Sequence, residues 1–207
     1  MKDGLSEVAL PLDFPIGKSR EHLGACEEQE FSPELTAALR GLAEENGTLV
    51  SCLSCLMLAL FMLTLFQRSH QEDLCIELSC ANRTRPETER MIGFFVNILP
   101  IRIRFSADMK FGELLRQVTA SMTEAIEFQD YPFDLLIQKL RPPRRSNRPP
   151  LINVVYGFHD FQDLRLDLGF TPSVPSKSDI TVGGWMEGNR TTAYAPTVAA
   201  CFRDARS

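Results

Sequence analysis

Cys52 and Cys55 sit three positions apart, a spacing that suits metal ligation or thiol redox chemistry. On a helix they would share one face. A zinc site needs a second pair of ligands, however, and a redox pair needs a strand-to-helix turn ahead of it. Neither accompanies them, so they read as buried packing thiols. His159 lies beside Asp160 and near Asp163, yet no serine or cysteine nucleophile signature goes with this group. Arg141, Arg144, Arg145 and Arg148 crowd one short stretch. Their guanidinium forks suit phosphate or an acidic surface, but the reading favoured here is a solvated connector. Gly93 and Asn97 suit a bulge and a turn at a strand entrance, since both accept positive φ. Gln129 and Asp130 precede Pro132, where Asp130 or Tyr131 would cap a helix. Phe133 then reads as core.

The elements that must position these residues follow from pattern. Leu10-Pro11-Leu12-Asp13-Phe14-Pro15 runs extended because of its two prolines. Ser32 offers a cap, Pro33 a first helical position and Glu34 an acid in the first turn, predicting a helix over 33–46 closed by Gly47. Residues 49–66 contain no charge. As a helix they would measure roughly 27 Å, just short of the ~30 Å hydrocarbon core of a bilayer. Strands and amphipathic helices continue beyond them, and no aromatic belt or basic cluster flanks them, so a buried core helix is expected over a membrane anchor. Residues 74–78 form a short buried strand. From Leu99 the pattern alternates, placing Ile101, Ile103 and Phe105 on one face and Arg102 and Arg104 on the other. Asp108 caps a helix whose stripe is Phe111, Leu114, Leu115, Val118, Met122 and Ile126. A short helix spans 132–140, a proline- and arginine-rich connector follows over 141–150, and 151–158 is a central strand.

Composition narrows the function classes. The chain has 207 residues, 44% hydrophobic and 24% charged, as an ordinary globular protein does. Its net charge of −5 argues against a nucleic-acid footprint, which needs surplus Lys and Arg on one face. The start, Met1-Lys2-Asp3-Gly4-Leu5-Ser6-Glu7, carries acids where a signal peptide is basic and then apolar, and six scattered cysteines make no disulfide scaffold. A cytoplasmic setting is expected.

Three segments, in order, carry a resemblance. Ile92-Gly93-Phe94-Phe95-Val96-Asn97, followed by Arg102, is similar to a Gly-x-Phe-Val-Asn-Thr…Arg pattern. Gln129-Asp130-Tyr131-Pro132-Phe133-Asp134 resembles His-Gln-Asp-x-Pro-Phe-Glu. The stretch 144–151 looks like a degraded Arg-Asp-x-Ser-Arg-Asn-Pro-Leu. These are later motifs of nonribosomal peptide synthetase condensation domains, and Leu10-Pro11-Leu12-Asp13 and Ala81-Asn82-Arg83 also sit where such domains have similar residues. Ile98, Phe128, Arg145 and Pro149 depart from the patterns. The family's His-His-x-x-x-Asp-Gly motif has no counterpart, since His22, His70 and His159 are solitary.

The resemblance implies an α/β fold, a chloramphenicol acetyltransferase-like lobe with a mixed sheet covered by two long helices, one half of a two-lobed condensation domain. The expected divisions are a tail over 1–9, the C-terminal lobe over 10–182 and a divergent, poorly ordered tail over 183–207. No residue of the chain is expected to be catalytic, and no metal is expected. Gly93, Phe95, Asn97, Arg102, Gln129, Asp130, Pro132, Phe133 and Arg148 would line or support a tunnel between lobes. The family forms amides between substrates tethered to carrier proteins on phosphopantetheine arms, so the implied partners are carrier proteins, an N-terminal lobe and adjacent synthetase modules. Alternatives are a non-catalytic remnant that binds carrier proteins, and a membrane-anchored protein using 49–66.

Overall fold

The computed structural model describes residues 7–11, 24–45, 52–142, 152–160, 180–187 and 196–202. Ser32 starts the first helix as expected: its Oγ accepts the Leu35 N–H at 3.2 Å, and Pro33 opens α1 (Pro33–Glu45) after strand β1 (Gly24–Glu30). The uncharged run forms most of α2 (Cys52–Ser69). Cys55, Leu56, Leu58, Ala59, Met62 and Leu65 of this helix are buried, and no helix among the described residues is long and apolar enough to cross a membrane. A helix that is apolar nearly all round belongs in a core, and here it packs against α1, α3 and the sheet.

Strand β2 (Asp73–Cys80) pairs antiparallel with β3 (Asn97–Arg104) and parallel with β4 (Val155–Asp160). Helices α3 (Phe111–Glu127) and α4 (Phe133–Leu140) lie between β3 and β4 in the chain. The sheet is completed by β5 (Ile180–Glu187) and β6 (Pro196–Phe202), giving the order β1-β5-β6-β4-β2-β3 with β3 at one end. β4 and β6 are parallel, whereas β5 runs antiparallel to both β1 and β6. The fold is therefore mixed α/β.

From residue 183 on, the described residues include most of β5 and all of β6, which pair along β1 and β4. Val8 is buried, its N–H donates to Asn153 Oδ1 at 2.9 Å, and Asn153 Nδ2 donates back to Val8 O at 2.9 Å. Asp108 does not cap α3; a turn closed by Met109 N–H to Ser106 O moves the start to Lys110, whose N–H donates to Glu113 Oε2 at 3.2 Å.

Strand alternation sorts β2 and β3 onto two faces. Leu74, Ile76, Leu78, Leu99, Ile101 and Ile103 meet Leu114, Leu115, Val118 and Met122 of α3 and the buried side of α2. On the opposite face, Cys75 and Ile152 pack against Phe133, Ile137 and Leu140, so α4 covers the side that the two long helices leave open. Aromatic stacking fastens α2 to its surroundings: Phe66 lies 4.5 Å from Phe105, and Phe61 lies 5.6 Å from Tyr156. The Tyr156 hydroxyl donates to Ser54 O at 3.4 Å.

By alternation Glu77 shares the Cys75 face, and it is only 8% exposed. Burial pushes its carboxyl up to about 7 and the Cys75 thiol up to about 12. The folded state thus holds a proton on Glu77 that the unfolded chain, titrating near 4.5, gives up earlier. This preference is fully present below the unfolded value and is lost as pH rises through about 7. We expect Glu77→Gln to raise stability over the parent at pH 8 by on the order of 2 kcal/mol and to change it little at pH 4, measured by urea denaturation. Equal effects at both pH values would contradict this.

Candidate functional site

Asn97 opens β3 at the point where the chain leaves an exposed loop, and its carboxamide reaches the turn between α3 and α4. Nδ2 donates to Gln129 O at 2.7 Å and to Tyr131 O at 2.9 Å, while Oδ1 accepts the Phe133 N–H at 3.3 Å. Both donors and the acceptor carbonyl are engaged. Phe133 is the first residue of α4, so Asn97 supplies from a distant strand the cap that the local sequence lacks. Pro132 occupies the capping position without a side chain able to accept, and the Asp130 carboxylate accepts instead from the Thr84 hydroxyl at 3.3 Å. The expected capping by Asp130 or Tyr131 is therefore replaced by a tertiary contact between two motif segments.

Gly93 and Asn97 are not held at positive φ; among non-glycine residues that conformation occurs at His70, Asn82 and Arg141 in the described parts. Gly93 leaves room for a close approach. A Cβ there would stand 3.0 Å from Cε2 of Phe95. The Phe95 ring in turn lies under Arg83, whose guanidinium carbon is 4.5 Å from the ring centroid. Arg83 was not among the expected site residues, and only its place in Ala81-Asn82-Arg83 could have drawn notice.

Arg102 grips Asp73 in a two-point pair, Nε to Oδ1 at 2.7 Å and Nη2 to Oδ2 at 2.5 Å, with Arg104 Nε 3.4 Å from Oδ2. The Arg102 fork, assisted by Arg104, holds the Asp73 carboxyl below the usual carboxylate range despite some desolvation. Asp73 stands opposite Arg104 at the first position of β2, so aligning the two strands would have revealed the partner. Arg102 therefore ties β3 to β2.

Between β3, the C-terminal half of α3 and α4 lies a cavity of about 310 Å³. Ile98, Pro100, Ala125, Phe128, Phe133 and Leu136 give it an apolar wall, with Arg102, Ser121 and Glu124 as polar lining. Of the expected site residues, Asn97, Gln129, Pro132 and Phe133 come together with Arg102 close by on β3, Gly93 and Phe95 form the preceding loop, Asp130 turns to Thr84, and Arg148 lies outside the described residues. Cys55 is buried with its Sγ 3.6 Å from Met122 Sδ, as packing predicts; the side chains of Cys52, His159 and Asp160, and the whole of Asp163, lie outside what is described.

The chain matches the condensation-domain family model over residues 2–200. It is 38% identical over 160 residues to a linear gramicidin synthase of Brevibacillus parabrevis, covering 77% of this chain and 3% of that protein. With phosphinothricin tripeptide synthetase PhsC of Streptomyces viridochromogenes it shares 36% over 156 residues, 75% of this chain and 14% of that protein. The chain thus spans a small part of these relatives. Among solved structures, the condensation domain from the monacolin K polyketide synthase MokA superposes with a TM-score of 0.67 at 20% identity, over 89% of this chain and 40% of that one. The holo-AB3403 four-domain nonribosomal peptide synthetase gives 0.68 at 23%, over 72% and 11%. The X-domain from teicoplanin biosynthesis gives 0.65 at 22%, over 97% and 42%.

If Asn97 is the tie between the two motif segments, Asn97→Ala should cost about 2–4 kcal/mol in urea denaturation, since three backbone groups lose their partner. Asn97→Asp should cost more at pH 7 than at pH 4, because a carboxylate facing two carbonyl oxygens is worse than a protonated one. A cost under about 0.5 kcal/mol for Asn97→Ala would show the tie to be dispensable.

Proposed function

The chain belongs to the condensation-domain family of nonribosomal peptide synthetases, and we propose that it supplies one lobe of an amide-forming site whose histidine-bearing lobe is provided separately. Its mixed sheet and helices have the chloramphenicol acetyltransferase-like fold that the motifs implied. In the proposed reaction the acceptor amine attacks the donor thioester carbonyl. The C–N bond forms, the C–S bond breaks, the pantetheine thiol departs and the amine gives up a proton. A histidine of the other lobe assists the amine as base or by hydrogen bonding. This lobe contributes a wall and the segments that reach across. Holding two carrier-tethered substrates together makes a bimolecular encounter effectively intramolecular.

The observation that carries this reading is the loop ahead of Asn97. Met91, Ile92, Phe94 and Val96 are all exposed, although the segment joins directly to the fixed hydrogen-bond tie at Asn97. A contiguous apolar surface anchored on rigid elements is what a second lobe would cover. Carrier proteins and adjacent modules are the proposed partners, in keeping with the multidomain relatives. The proposed compartment is the cytoplasm.

The test is amide formation between two loaded carrier proteins, followed by mass spectrometry. The chain alone should give no product, and the chain mixed with an N-terminal lobe bearing the His-His-x-x-x-Asp-Gly motif should give product. Product from the chain alone would overturn the need for a second lobe. No product in the mixture, with carrier binding retained, would favour a recruiting module without chemistry.

A further inference from the structure

We propose that Arg83 is a positioning residue that presets the apolar loop 91–96 for docking against the histidine-bearing lobe; this inference rests on the two-lobe reading above. Its Nη1 donates to Met91 O at 3.0 Å and also to Thr88 O, the last residue of the short helical turn Pro86–Thr88. Its guanidinium plane covers Phe95, and Phe95 in turn packs on Gly93. One side chain thereby holds the chain leading into the loop, its first residue Met91 and, through the Phe95 ring, its later part. The loop has an inner side, built from Arg83, Phe95 and Gly93, and an outer side on which Phe94 is 92% exposed and Ile92 fully so.

Holding two large apolar side chains in water has no benefit to the isolated lobe. It does benefit association. An anchor already fixed in its bound shape loses less conformational entropy on docking, and a central aromatic anchor concentrates binding energy. The occupant is the remainder of the domain: the chain matches under half of the solved condensation domain that it resembles, and the loop runs directly into the motif tie at Asn97. Arg83 contributes no group to the reaction. Its effect is on affinity between lobes rather than on turnover once they are joined.

Binding of an N-terminal lobe carrying the histidine motif, measured by titration calorimetry, tests this. Arg83→Gln should weaken association about tenfold, Arg83→Lys about threefold or less, and Phe94→Ser at least tenfold, with turnover at saturating lobe unchanged for Arg83→Gln. In the isolated chain, the 15N order parameter at Phe94 should fall from about 0.8 to below about 0.6 in Arg83→Gln while the core is unaffected. Unchanged affinity in Arg83→Gln with weakened Phe94→Ser would leave the loop as an interface but overturn the role of Arg83. Unchanged affinity in both would overturn the docking loop itself. Failure of the parent chain to bind would instead remove the two-lobe reading, and an unchanged order parameter would separately overturn the presetting.

Discussion

The carboxamide of Asn97 is the constraint on which the joining of β3 to α4 turns. Side-chain amides are unusual in offering two donors and an acceptor in one plane, and here each meets backbone from a turn more than thirty residues away. An aspartate would lack the donors and a glutamine would carry the group a methylene too far. With the turn fixed, α4 starts where Phe133 can join Ile137 and Leu140 over Cys75. The face of the sheet that α2 and α3 do not cover thus depends on one polar side chain on a strand end.

That second face explains why β2 is buried on both sides. Five consecutive residues, 74–78, are buried, which alternation with a solvated face could not produce. The Cys75 thiol, pushed to about 12, is inert packing. Glu77 is harder to place among such neighbours, and burial pushes its carboxyl up to about 7, so that it is accommodated at least cost in its protonated form.

Local signals made a good part of this legible. Ser32 and Pro33, the stripe on α3 and the alternation over 99–105 each specify their element without help from the rest of the chain. Length and lack of charge were enough to make α2 a helix, and its neighbours decide that it lies in a core. Nonlocal order was illegible. Gly24–Glu30 drew no reading from its own pattern and is a strand through pairing along β5, and β6 pairs with both β4 and β5. The same limit applies at the candidate site. Glycine and asparagine suggested backbone freedom, whereas Gly93 makes room for a ring and Asn97 reaches another segment. The motifs marked Asn97 and Arg102, but Asp73 and Arg83 acquire their roles only when separated stretches meet.

The place of β3 at the end of the sheet has its own consequence. Phe105 donates inward to Glu72 O, so the pairs of odd-numbered β3 residues face β2, and the backbone groups of Ile98, Pro100, Arg102 and Arg104 point away from it. Such a margin is a template on which a stray strand can zip up. Proline at position 100 removes a donor from the middle of that row, and Arg104 sets an exposed cation near its end. Among the described residues the sheet therefore ends in an interrupted ladder, a poor template for the addition of a further strand.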